Sequence, residues 1–369
     1  MSILLKFKNE EQEGLKSNLH QISKKENKNH IIDYISLSKI FASYGVIVLH
    51  INGFWRIKTK DAKIFRIVNF YECLFYYSVP VFVLCIGATL LDFNKRYNLY
   101  EYNKKRLLKV FLPLVGWNII LYNYKLYFLK NISKENFNFL SLWNYFFSSK
   151  IYHIFGSLHA FLLTYLLIPL LAHVEMNKKI EIYCYYFFIL LITQALIPYL
   201  INISTYNIVW IYTLKIGFII YIFAGYIIHN HEFLIYQKII IYTFGIIFFF
   251  VHYLGTESCY FKNKKKIRLH KGYLNFPAIL YSCSFFLLIK EYGFIIINKV
   301  NKKLINKIGA LTFGPFFLHK PLIETLNKYN IIKKYIFPIT LLYGTFIFIL
   351  CLIFSSLLRK VPILKYLVP

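Results

Sequence analysis

The chain has 369 residues, 58% of them hydrophobic and 20% aromatic, and a formal net charge of +28. Soluble globular domains are typically about 45–50% apolar, and here the excess falls in long runs, which excludes an ordinary soluble fold. The basic residues lie between those runs and no nucleic-acid motif accompanies them, so lysines facing anionic lipid headgroups account for the charge and no nucleic-acid partner is expected.

Residues 1–35 read as a polar, cytoplasmic N-terminal segment. It lacks the short apolar core and cleavage site of a signal peptide, so the first apolar run is expected to remain as an anchor. Each of ten runs is near the roughly 20 residues that cross a bilayer as a helix. They are 36–54, 71–92, 107–127, 151–173, 181–200, 207–228, 238–254, 274–296, 308–324 and 336–358. The expected fold is all-α: a polytopic membrane protein with about ten transmembrane helices, an integral-membrane domain over 36–369 and both termini cytoplasmic. Lys and Arg are somewhat more abundant in the segments this places inside, as the positive-inside rule requires, although the outer loop 255–273 is itself basic. Gly314, Pro315 and Pro321 interrupt the ninth run. A broken helix at membrane depth is tolerated only where it faces protein or a wet cavity, so this run is expected to line something. The six cysteines have no paired spacing and read as small buried residues; no metal site is expected.

Ionisable residues inside spans are costly, which makes each a candidate for function. His50 falls in the outer half of the first span, about 21 Å from its inner end at 1.5 Å per residue. Glu72 opens the second span and His153 the fourth, both from the outer side, and His319 lies in the outer half of the ninth. Lys39 and Arg106 sit at the inner boundary. Acid–base groups above and cations below suit a phosphorylated donor that enters from the cytoplasm. Plainer readings stand beside these: packing for His153 and His319, a headgroup position for Glu72, and snorkelling to lipid phosphates for Lys39 and Arg106. Lys215, mid-span, requires a partner or a wet cavity.

In order along the chain come Lys39, Ala42, Gly45 and His50, then Asn52-Gly-Phe-Trp55, then Val79-Pro-Val-Phe82 through Gly87-Ala-Thr-Leu-Leu91. Lys105-Arg106 with Pro113 and Trp117 follows, then Tyr152-His-Ile-Phe155 with Tyr165 and Pro169, Phe313-Gly-Pro-Phe-Phe-Leu-His319, and the tail Val361–Pro369. Over residues 33–369 the chain resembles acyltransferase family 3, the integral-membrane O-acyltransferases of surface polysaccharides, and in particular the branch containing the O-acetyltransferase of enterobacterial common antigen. It departs from the family pattern at Lys39 (often Arg), Ser36 (often Asp), Ile86 (usually Ser) and Pro315. The resemblance implies acetyl-CoA, or another acyl-CoA, as donor substrate with no bound cofactor, and a lipid-linked or polymeric glycan as acceptor, in the cell inner membrane. It implies His50 as general base with Glu72 orienting it, Lys39 and Arg106 on donor phosphates, and His153 or His319 holding the acceptor. The alternatives are a lipid-linked glycan flippase or transporter, which would favour pseudo-symmetric halves, and a glycan polymerase, which would favour a large outer loop. Neither feature is present in the sequence.

Overall fold

The computed structural model describes residues 33–54, 59–129, 154–203, 218–262, 270–329 and 339–369. Residues 1–32, His153 and Lys215 lie outside these. The described residues are α-helical with no strand. We number the helices α1 (Asp33–Asn52), α2 (Ala62–Leu74), α3 (Ser78–Leu90), α4 (Leu99–Leu129), α5 (Ile154–Ala172) and α6 (Lys179–Ile201). There follow α7 (Ile219–Asn230), α8 (Ile235–Lys262), α9 (Phe276–Val300), α10 (Lys302–Leu311), α11 (Phe313–Lys328) and α12 (Ile339–Lys360).

Among the described residues, seven helical segments are long and apolar enough to cross a membrane: α1, α2 with α3, α4, α6, α8, α9 and α12. Two shorter apolar stretches, Phe161–Ala172 and Ile219–Asn230, fall within the predicted fourth and sixth spans. The predicted ninth span is divided between α10 and α11, and the division comes at Thr312, ahead of Gly314 and Pro315. Pro315 then sits in the first turn of α11, where its missing N–H costs nothing. The predicted second span also differs. Helix formation begins nine residues earlier, at Ala62, because Asp61 caps it by accepting from the N–H groups of Lys63 (2.8 Å) and Ile64 (3.4 Å). Glu72 therefore lies in the last turn of α2, not at the start of a span.

α3 and α7 are apolar on nearly every face and form the centre of the bundle, as all-round hydrophobic helices must. They cross closely. A Cβ on Gly87 would run into the backbone of Ile222, and one on Gly225 into the backbone of Leu84, so only glycine fits at either side. Gly225→Leu should lower stability by about 1–3 kcal/mol, the usual cost of overpacking. Thermal unfolding in detergent would read this as a lower midpoint; an unchanged midpoint would mean that the crossing tolerates a side chain. Around this pair stand α1, α6 and α9, with α8 outside α9 and α2, and α12 beside α11.

The ends of the helices near Asp33 are tied by polar clamps. The buried Lys179 ammonium donates to Asp92 Oδ1 (2.9 Å) and to the carbonyls of Leu91 (2.9 Å) and Ala172 (3.2 Å), fastening α3, α5 and α6 together. Asp33 accepts from Lys302 (2.6 Å) and Asn306 (2.7 Å), fixing α1 to α10. Arg359 donates to the carbonyls of Ala310 (2.6 Å) and Val368 (2.7 Å), and Trp117 to that of Leu367 (2.9 Å). The segment after α12 is thereby folded back against α4 and α10.

Candidate active site

Near the Asp33 end of α1 the helices enclose an open cavity of about 400 Å³. Four cations line it: Lys39 from α1, Arg96 from the α3–α4 connection, and Arg106 and Lys109 from α4. No Asp or Glu is among the described lining residues. Lys39 and Arg106, singled out separately in the sequence, are thus brought to one cavity. Arg106 lies over the rings of Tyr102 (5.5 Å) and Tyr165 (5.4 Å), and its buried Nε has no hydrogen-bond partner. A guanidinium stacked on aromatics in this way keeps donors for a planar anion. Arg106 adjoins a π-helical turn, Leu107–Phe111, which contains Lys109; such turns are frequent at functional sites. Four like charges around one space repel one another, and an anion between them relieves that repulsion.

Arg96 and Lys109 did not stand out in the sequence. Lys109 is three residues from Arg106, so a helical reading of that face carried the signal. Arg96 is carried in by the turn after α3, where its guanidinium donates to the Thr89 carbonyl.

The deeper wall of the cavity includes Phe82 and Phe316, in edge-to-face contact at 6.3 Å. His319 is three residues beyond Phe316, about 4.5 Å further along α11 at the helical rise. Its ring stacks on His50, with centroids 5.0 Å apart and planes 28° apart. His50 is partly exposed, whereas His319 is fully buried. The Nδ1–H of His319 donates to the Pro315 carbonyl (2.7 Å), which leaves Nε2 as a lone pair, and that atom is buried with no hydrogen-bond partner. Along α1, His50 is eleven residues from Lys39, or about 16 Å. Cations therefore occupy one end of the site and a pair of imidazoles the other.

Glu72 is buried near the imidazole end, at 4% exposure. It takes its hydrogen bond from Asn52 Nδ2 (3.4 Å) and not from His50; Asn52 Nδ2 also donates to the Val68 carbonyl (2.9 Å). Asn52 is the last residue of α1, two beyond His50, so through Asn52 Glu72 reaches the end of the helix that carries His50. Of the six candidate residues, five lie within the described structure, and His153 lies outside it.

A family model described as an acyltransferase domain matches residues 32–360, nearly the whole chain. No curated protein and no solved structure matches it.

Proposed function

From a chain that belongs to the acyltransferase 3 family, we infer a multi-pass membrane O-acyltransferase of the cell inner membrane that moves an acyl group, acetyl in the first instance, from cytoplasmic acyl-CoA to a glycan hydroxyl. The observation that carries the donor assignment is the cavity lined by Lys39, Arg96, Arg106 and Lys109, with no Asp or Glu among its described lining residues. Coenzyme A offers phosphates for those cations and a long flexible arm that can follow the cavity past Phe82 and Phe316. The thioester then lies toward His50 and His319. In this reading the N-terminus is cytoplasmic, and the acceptor, a lipid-linked or polymeric surface glycan, approaches from the opposite face.

The reaction needs a base, because a neutral hydroxyl is a poor nucleophile toward a thioester carbon. His50 takes the hydroxyl proton as the oxygen attacks. The C–S bond breaks, coenzyme A leaves as a thiolate, and the proton on His50 passes to that sulfur. His319 Nε2, a lone pair beside the His50 ring, accepts from a second hydroxyl of the acceptor sugar and so aims the attacking one. Glu72 steadies the end of α1 through Asn52.

The test is thiol release. Membranes containing the chain should release free coenzyme A from acetyl-CoA when a glycan acceptor is supplied, with the acyl group recovered on the glycan as an ester. Acceptor-independent release, or no release above empty membranes, would sink the assignment. A flippase or a polymerase would move or join glycans with no thiol produced.

A further inference from the structure

Lys271 lies in the segment between α8 and α9, inside the basic stretch 255–273 expected to be an outer loop, yet it is only 4% exposed. Its ammonium stands 3.8 Å from the centroid of the Phe54 ring and 5.7 Å from that of Tyr76, and it donates to Cys73 Sγ at 3.7 Å. No carboxylate lies within ion-pair distance of it among the described residues, but Glu72, the residue before Cys73, is close enough for the two charges to act on each other. Burial pulls the Lys271 ammonium below the usual lysine range, and the Cys73 thiol and the Glu72 carboxylate oppose that. Burying an ammonium costs several kcal/mol. Two ring faces and a thiol offset only part of this. The neighbouring cluster of Phe54, Phe65, Val68 and Tyr260 is apolar, so an uncharged side chain would pack at this position at lower cost.

The charge therefore has a use, and the residue before its contact Cys73 is the buried carboxyl of Glu72, 4% exposed. We propose that Lys271 is a positioning residue for the acyl transfer inferred above: its ammonium holds Glu72 as a carboxylate, Glu72 holds Asn52, and Asn52 sets the end of α1 that carries His50. This role rests on that functional reading. The other titratable groups facing the pair are Cys73 of α2, Tyr76 in the turn between α2 and α3, His252 of α8, and His270 and Tyr273 beside Lys271. None of them is a second carboxylate, so Glu72 is the group on which the loss of Lys271 should register.

The experiment is the pH dependence of acyl transfer by wild type, Lys271→Met and Lys271→Arg. Lys271→Met should lower kcat at neutral pH by about tenfold or more and leave the KM for acyl-CoA unchanged, since the cationic cavity is at the other end of α1. Its acid limb should move up by about 1–3 pH units, because a buried carboxylate that has lost its cation ionises later. Lys271→Arg should restore most of kcat and the wild-type limb. In Glu72→Gln with Lys271→Met the upward shift of the limb should be abolished, and kcat should be no lower than in Lys271→Met alone. That double variant also answers the case in which Lys271→Met fails to accumulate, because it buries no lone charge. A wild-type kcat in the double variant, or a Lys271→Met enzyme with an unmoved acid limb, would overturn the role of Lys271 while an active wild type upholds the acyltransferase reading. A wild-type chain that transfers no acyl group overturns that reading and this role together.

Discussion

His50→Gln is expected to reduce acylation of the acceptor by about 10²–10⁴-fold, the usual worth of a positioned acid–base group, while the protein accumulates and inserts as wild type does. Glutamine keeps a hydrogen-bond donor and an acceptor at similar volume, so a histidine used for packing would be replaced with little loss. It does not take up a proton at neutral pH, so a general base would not. The stacking of His50 on His319 sharpens the comparison. The flat amide of glutamine can still cover the His319 ring, leaving proton transfer as the main property removed. Acylation by His50→Gln at more than about a tenth of the wild-type rate would assign His50 to packing and move the search for a base to His319, whose Nε2 is already a free lone pair.

Arg106→Ala should raise the KM for acyl-CoA by about 10–150-fold, the equivalent of one charge-assisted contact worth about 1.5–3 kcal/mol. Protein level should change little, because the Arg106 Nε has no hydrogen-bond partner and Tyr102 is held independently by its hydrogen bond to the Tyr165 carbonyl (2.8 Å). Arg106→Lys should recover only part of the loss, since a point charge replaces a planar fork. A donor KM unchanged in a well-inserted Arg106→Ala protein would mean that the guanidinium serves lipid headgroups. In that case the cavity would bind the donor through Lys39, Arg96 and Lys109 alone or would not bind it.

Much of this was legible in the sequence because the membrane makes apolar length a strong signal. The runs at 238–254, 274–296 and 336–358 correspond to α8, α9 and α12 within a few residues to about eight at an end. The layering of His50 and His319 away from Lys39 and Arg106 followed from the helical rise alone. What escaped reading depended on polar capping and on long-range packing. Asp61 starts α2 inside a stretch that hydropathy assigns to a loop. α2 ends and α3 begins around Phe75–Tyr77, where Pro80 in the first turn of α3 was the available signal. The contact of His50 with His319 joins residues 269 positions apart on α1 and α11, and no local pattern encodes it. Lys271 stood in a basic stretch of the sequence, and its burial beside Phe54 and Cys73 depends on contacts about 200 positions away.

The central claim is that the cationic cavity holds the phosphates of a coenzyme A thioester and directs its sulfur end toward His50. Equilibrium binding of coenzyme A and of pantetheine to the purified wild-type protein tests it most directly, since the two share the thiol arm and differ in the nucleotide phosphates. The account predicts saturable coenzyme A binding that weakens as salt rises and is retained in His50→Gln, with pantetheine bound at least about tenfold more weakly. Equal affinity for the two ligands, or coenzyme A binding indifferent to both salt and Arg106→Ala, would contradict it.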